Sequence, residues 1–175
     1  MPPTSSPSAA RPLSDHMLNH KALRARFEDL QCALISLDLE RASTGLADFT
    51  RHIRLHREGE EEFILPVYRD LDLGDEEGVV ESFLSEHKEL GWWLGEMRSD
   101  LDALRELAQT KEIGPQEVLP LLDRQATFKQ LLAHHDQREA DLLFPALDRK
   151  LTRARAEEIW RQVDEHEDSV RASWA

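Results

Sequence analysis

The segment HREGEEEFILP at residues 56–66 has a counterpart, HDQREADLLFP, at residues 135–145. Both segments start with a histidine, carry acidic residues four and six positions later, and continue with three apolar residues and a proline. A histidine followed by an acid at the fourth position occurs by chance in so acidic a chain, so the longer match is the informative feature. We interpret the two segments as copies within an internal repeat.

A second, shorter repeat precedes these copies. Residues 20–23 (HKAL) match residues 87–90 (HKEL), and apolar residues continue in step after both. The two repeats together indicate a doubled helix pair. Each pair supplies one histidine from its first helix and a His-x-x-x-Glu motif from its second.

Apolar residues recur at three- and four-residue steps along most of the chain, which is the period of amphipathic α-helices. Glycines (7) and aromatic residues (6%) are too scarce for a β-sandwich or barrel. We expect an all-α fold, an antiparallel up-down-up-down four-helix bundle with a short C-terminal fifth helix. The predicted helices run from Ser14 or Asp15 to about residues 42–45, from about Leu46 to Asp70, through residues 83–104, from Gly114-Pro115 to before Pro145, and from about Thr152 to Ala172. A purely structural bundle has the same periodicity.

Composition divides the chain into three parts. Residues 1–13 hold four of the eight prolines among serines and alanines, and we expect a disordered tail there. Residues 14–150 would form the bundle, and residues 151–175 a C-terminal helical extension.

The charge balance excludes several classes of partner. Acidic residues (35) outnumber lysine plus arginine (22), which gives a formal net charge of −13, whereas nucleic acids and anionic lipids require a basic face. No apolar run approaches the roughly 20 residues that cross a bilayer, and residues 1–12 lack the apolar centre of a secretion signal. Cys32, the single cysteine, cannot form an internal disulfide or hold an iron–sulfur cluster. We expect a cytoplasmic protein without nucleic-acid or membrane partners.

The repeated histidines and glutamates indicate a metal site. Residues i and i+4 lie on the same helix face, so each His-x-x-x-Glu motif directs an imidazole and a carboxylate at one point, which is the interior of a bundle. Burying such groups without partners costs several kcal/mol each, and a metal centre removes that cost. Nitrogen and oxygen ligands suit iron or manganese and do not exclude zinc, and two metals bridged by two carboxylates would use the twofold repeat. The alternatives are hydrogen-bonded core histidines or solvated surface pairs. The candidate ligands are His20, His56, Glu60, His87, His135 and Glu139.

The order H–HxxxE–H–HxxxE, with EEEFILP and EADLLFP around the acids, resembles the hemerythrin-like (HHE cation-binding) family over about residues 14–150. The resemblance is greatest to the bacterial subset of the family. It implies a four-helix bundle with a non-haem centre of two iron ions joined by an oxo or hydroxo group; zinc or manganese are the alternative occupants. By position, His20 and His56 would bind one iron, His87 and His135 the other, and Glu60 and Glu139 would bridge both.

One departure from the family bears on function. Animal oxygen-carrying hemerythrins have HxxxH on the third helix, whereas this chain has Gly91 four residues after His87. Both irons would then have two histidines and open positions, which favours access by peroxide, nitric oxide or small anions. Ferritin-type iron storage uses Glu-x-x-His, and that spacing does not occur in the chain.

Three classes of function follow from these observations. The first is a di-iron protein that binds or reacts with dioxygen, peroxide or nitric oxide, in sensing, scavenging or a catalase-like role. The second is a di-iron oxidase or oxygenase acting on a small organic substrate. The third is an iron-responsive regulatory binding module, although the sequence indicates no particular protein partner, electron donor or oligomeric state.

The remaining candidate residues have weaker support. His16, one turn before His20, is predicted to lie level with Glu60, as a partner of the ligands or an additional ligand. We expect His52 to lie at a helix interface away from the centre, His134 to be exposed and His166 to be solvated. We expect Glu61 to face another way than Glu60, with an accessory ligand role as the alternative. We expect Trp92-Trp93 to pack at the core or its edge, with shielding of the centre as the alternative.

Overall fold

The structure is a computed structural model that describes residues 11–71 and 79–174. It is all-α, and no strand occurs within those two ranges. Most of the predicted tail, and most of the predicted acidic turn after Asp70, lie outside the described residues. The helices are α1 (Leu18–Ile35), α2 (Leu39–Gly59), α3 (Leu65–Arg69), α4 (Val79–Ala108), α5 (Pro115–Arg138), α6 (Phe144–Lys150) and α7 (Arg153–Ala172), with a 3-10 turn at Leu13–Met17.

The four long helices form a ring of neighbours. Helix α1 packs against α2 and α5, and α4 packs against the same two helices. This pairing is compatible with the expected four-helix bundle. Helix α7 packs on α2. It begins where we predicted, and Thr152 caps it, since Oγ1 of Thr152 accepts a hydrogen bond from the backbone N–H of Arg155.

The boundary between the first two helices was predicted wrongly. Helix α1 ends at Ile35 and α2 begins at Leu39, whereas we expected one helix to continue to about residue 42. Leu37 has a φ of 57°, which is left-handed backbone that no α-helix accommodates, and the side chain of Asp38 then caps α2 by accepting from the N–H of Arg41. Neither glycine nor proline marks this turn in the sequence.

Two π-helical turns, Glu60–Ile64 and Glu139–Leu143, join the second and fourth long helices to the short helices α3 and α6, which contain the prolines. In each turn the next backbone N–H bonds to the carbonyl of the glutamate five residues earlier. Each proline then falls in the first turn of the following short helix, where its missing N–H costs little. The prediction that the fourth helix ends before Pro145 was therefore wrong, since it continues to Lys150.

The core consists of two apolar clusters. One contains Phe27, Phe49 and Phe128, with ring centroids 5.0–5.9 Å apart, and the other contains Phe144 and Trp160. Along each long helix and the turn next to it, the candidate histidine lies between a residue of one cluster and a residue of the other. The flanking pairs are Leu13 and Leu23 for His20, Ile53 and Ile64 for His56, Phe83 and Leu90 for His87, and Leu132 and Leu143 for His135. A polar layer thus separates two apolar clusters within one core.

Among the described residues, no helix combines the length and the apolar character that a membrane span requires.

Candidate metal centre

The structure brings the six candidate ligands together in the polar layer. All six side chains are buried, and the most exposed of them, His56, has 6% of its surface exposed. Their ligand atoms form two groups, each within 4.8 Å, and both groups contain the same two glutamates. The groups are His20, His56, Glu60 and Glu139, and His87, His135, Glu60 and Glu139.

Glu60 lies between the two histidine pairs. Its Oε1 is 3.1 Å from Nε2 of His56, and its Oε2 is 3.3 Å from Nε2 of His87. One oxygen of the carboxylate therefore faces each pair.

Glu139, which corresponds to Glu60 in the second copy of the motif, is placed in the same way. Its Oε2 is 3.1 Å from Nε2 of His20, and its Oε1 is 2.9 Å from Nε2 of His135. Both carboxylates are thus placed to bridge two cations, one beside each histidine pair.

The histidines of each pair converge through their Nε2 atoms. The distance is 2.7 Å between His20 and His56, and 3.2 Å between His87 and His135. Imidazoles bind metals through such a nitrogen, so each pair presents two donors to a single ion.

The buried carboxylates lack hydrogen-bond partners in the described part of the chain. All four oxygens of Glu60 and Glu139 are buried with none, although histidine nitrogens lie within ion-pair distance. Burial opposes ionisation of Glu60, but His56 and His16 outweigh burial and hold its pKa well below the usual range. The ionised carboxylate of Glu60 is therefore an oxygen donor available to a cation. The residues present fit a pair of metal ions with nitrogen and oxygen ligands.

Three further carboxylates contact the outer nitrogens of the candidate ligands. Nδ1–H of His87 donates to Oε1 of Glu61 (2.8 Å), and Nδ1–H of His135 donates to Oε2 of Glu86 (2.9 Å). Asp136 lies with Oδ1 3.3 Å from Nδ1 of His20, an ion-pair distance without hydrogen-bond geometry. Such contacts favour a proton on Nδ1, so that Nε2 is the nitrogen from which a metal would displace a proton.

These carboxylates also set the protonation of the histidines. Burial lowers the pKa of His135, but the nearby carboxylates of Glu139 and Glu86 outweigh burial and raise the pKa to about 10. Burial likewise raises the pKa of Glu86, yet His135 and Arg138 together keep it below the usual value. Arg138 and Glu86 form a close ion pair, which anchors this carboxylate.

Sequence reasoning missed the outer carboxylates. Glu61 faces another way than Glu60, as expected, but its contact with the outer nitrogen of His87 was not anticipated. Glu61 follows Glu60, Glu86 precedes His87, and Asp136 follows His135 in the chain. Adjacent residues point about 100° apart on a helix, so each of these carboxylates turns to a neighbouring helix. Each contacts the histidine of the next helix in the ring, from α2 to α4, from α4 to α5 and from α5 to α1.

His16 lies at the edge of the centre on the side of Glu60, at the level we predicted. Its side chain is fully buried, with Nε2 3.3 Å from Oε1 of Glu60. Its ring stacks on His56 at 4.4 Å with an interplanar angle of 12°. Both of its ring nitrogens lack hydrogen-bond partners among the described residues, so either is available to a ligand.

The other histidines lie away from the two ligand groups. His134 is 67% exposed, as expected, and Nδ1 of His52 bonds to the backbone carbonyl of Asp48. The expectation that His166 is solvated was wrong. Its side chain is only 20% exposed because α7 packs it against Phe63, with ring centroids 5.6 Å apart.

Of the tryptophan pair, Trp93 packs against the core and Trp92 is 57% exposed.

Comparison with known proteins agrees with this geometry. Residues 12–112 match the family model described as the Hemerythrin HHE cation binding domain, a range that contains His20, His56, Glu60 and His87. His135 and Glu139 lie beyond the match, and the structure brings them to the same centre. No curated protein and no solved structure matched the chain. Because the match covers more than half of the chain and the His/Glu cluster can hold a metal, this metal-binding protein belongs to the hemerythrin HHE cation-binding domain family.

Proposed function

We propose that this protein is a non-haem di-iron protein that binds or reacts with dioxygen, peroxide or nitric oxide. A sensing, scavenging or catalase-like role would suit such a centre. The observation that carries the proposal is the sharing of Glu60 and Glu139 between two histidine pairs, with one oxygen of each glutamate facing each pair. The proposed fold is the antiparallel up-down-up-down bundle, which the ring of helix contacts supports.

The proposed ligand sets provide four protein donors to each ion. Two imidazole nitrogens and one oxygen from each glutamate face each position. Iron in such nitrogen and oxygen sites keeps open positions for small ligands, and an iron pair supplies electrons to oxygen species. Manganese and zinc remain the alternative occupants.

The two ends of the centre differ because of His16. We propose His16 as a partner of Glu60 or as a fifth donor to the ion held by His20 and His56. At the other end, in the described part of the chain, only His87 and His135 lie within 4 Å of the glutamate oxygens that face that end. This asymmetry would direct small ligands to the His87/His135 end.

The protein around the centre would exclude water and orient the ligands. Apolar clusters cover the polar layer on two sides, and Glu61, Glu86 and Asp136 hold three histidines from outside. Rigid, preoriented donors of this kind keep a metal pair in place when an external ligand binds or leaves.

The proposal is tested with protein purified from iron-supplemented cells, reduced without air and exposed separately to dioxygen, peroxide and nitric oxide. We expect ultraviolet oxo-to-iron absorption in the oxidised protein and a spectral change with at least one of the three ligands. His135→Ala should abolish both, whereas His134→Ala, a matched change at the adjacent exposed position, should leave both intact. Iron-loaded protein that responds to none of the three would contradict the proposal.

Two other functions use the same centre. A di-iron oxidase or oxygenase would need room for an organic substrate, and a cavity of about 340 Å³ contacts Asp136 at the edge of the centre. Oxygen consumption that depends on an added organic substrate would favour that function over the first. Metal-dependent resistance to proteolysis without any turnover would instead favour an iron-responsive regulatory module.

A further inference from the structure

A cavity opens to the surface between α1 and α5. Its volume of about 340 Å³ is within the range of roughly 300–1,000 Å³ that small-molecule sites occupy. Five of its lining side chains are apolar and form its walls: Met17, Phe27, Leu132, Ala133 and Ala140. Phe27 and Leu132 belong to the buried core, and the two alanines are exposed at the rim.

The polar lining residues of this cavity connect it to the metal centre. Asp136 is 4% exposed and divides its two oxygens between two partners. Its Oδ1 faces Nδ1 of His20 at 3.3 Å, and its Oδ2 accepts hydrogen bonds from Nε (3.1 Å) and Nη2 (2.7 Å) of Arg24. A ligand that moves Arg24 therefore acts on a candidate metal ligand through one intervening carboxylate.

The charges at the cavity favour a ligand that carries a carboxylate. Arg24 is 57% exposed, and its Nη1 has no hydrogen-bond partner among the described residues, so it still offers donors to the cavity. Lys129 supplies a second cation at the rim. Of the two acids in the lining, Asp136 is already paired and Glu28 is exposed to solvent. A guanidinium with free N–H groups beside an apolar wall suits a carboxylate with an apolar body.

We propose that this cavity binds a small organic carboxylate, with the carboxylate on Arg24 and the apolar body against Phe27 and Leu132. Binding then changes the environment of His20 through the contacts of Asp136 with Arg24 and with His20. Binding in the cavity does not require a metal ion, so it is tested separately from the proposed di-iron function.

Octanoate is a suitable probe because it combines a carboxylate with an apolar chain. Titration calorimetry of the full chain should show saturable binding at one site, about tenfold tighter than the binding of octanol or octylamine. Absence of saturable octanoate binding would overturn the proposal. Equal or tighter binding of octylamine would overturn the assignment of a carboxylate and would point to Glu28 as the charged contact.

The location of the site is tested with a matched pair of exposed alanines on α5. Ala133→Phe would fill the mouth of the cavity and should weaken octanoate binding about tenfold or more, because the bound chain and the new ring compete for one volume. Ala126→Phe, at an exposed position of α5 outside the cavity lining, should leave binding unchanged. Equal binding by both variants would place the octanoate elsewhere and contradict the proposal.

The connection to the centre is read from histidine ring signals in nuclear magnetic resonance spectra of metal-free protein. Octanoate should shift the ring nitrogen resonances of His20 in the wild type and leave those of exposed His134 unchanged. Ala133→Phe should abolish the shift of His20. Calorimetric binding without any shift of His20 would refute the connection through Asp136.

Discussion

The guanidinium of Arg57 lies against the backbone of Gly91, one helical turn after His87. A Cβ atom at Gly91 would approach Nη1 of Arg57 to 3.3 Å, which is tighter than ordinary contact. The Arg57 side chain is 18% exposed, and its Nε is buried without a hydrogen-bond partner among the described residues. The missing side chain at Gly91 thus leaves room for an arginine from the neighbouring helix.

This contact predicts unequal effects of alanine at two helical glycines of α4. A Cβ atom at Gly95 would have no neighbouring atom within 4 Å. Gly95→Ala should therefore raise the free energy of unfolding by about 0.5–1 kcal/mol, the usual gain in a helix. Gly91→Ala should gain less, because Arg57 must move. Chemical denaturation measures both changes. In an Arg57→Ala background the two gains should become equal, and a difference that persists there would contradict the contact.

The outer carboxylate Glu86 should strengthen metal binding through His135. Glu86→Gln removes the charge that holds Nδ1–H of His135, so iron affinity should fall about 10- to 100-fold while the helical content stays the same. Competition with a chelator measures the affinity. Glu89→Gln, an exposed change on the same helix, is the control and should have no effect. Equal affinities for the two variants would refute this role of Glu86.

His16 should change the electronic properties of the centre. His16→Ala removes a ring that stacks on His56 and lies 3.3 Å from Glu60, so the charge-transfer absorption of the oxidised iron protein should shift. Optical spectra and iron content are compared with those of His134→Ala. An unchanged spectrum at full iron content would show that His16 only fills space.

Metal removal should destabilise the protein because a bound cation stabilises the folded state, in which Glu60 and Glu139 are buried beside the ligand histidines. A ligand present at a hundred times its dissociation constant stabilises the folded state by about 2.7 kcal/mol, which for a chain of this size is a shift of about 5–10 °C in Tm. We therefore expect a chelator to lower the Tm by at least that amount. In the double variant Glu60→Gln, Glu139→Gln the chelator should have no effect, and a chelator effect of wild-type size there would locate the metal elsewhere.

Much of the site could be anticipated from residue spacing. Helix periodicity determines which residues share a face, so the two His-x-x-x-Glu motifs identify the ligand face of two helices. The shorter repeat, HKAL and HKEL, identifies His20 and His87 on the other two helices. The level of His16 followed from the same periodicity. The assignment of the six residues as ligands, iron as the metal and a cytoplasmic location stay predictions.

Other features depend on packing that spacing does not specify. The outer carboxylates Glu61, Glu86 and Asp136 each reach a different helix, so their contacts depend on how the helices are rotated and not on one helix alone. The turn at Leu37 uses left-handed backbone at a residue type that gives no signal for it. His166 is covered by α7 packing, which its acidic sequence neighbours do not reveal.

The metal content of the purified chain after expression with iron, measured against protein concentration by elemental analysis, tests the proposed di-iron centre most directly. We predict about two iron ions per chain, since two ligand groups share Glu60 and Glu139. In His56→Ala and His135→Ala the content should fall, and in His134→Ala it should remain at about two. A fully helical wild-type protein that retains no metal, or variants that all bind the wild-type amount, would contradict the central claim.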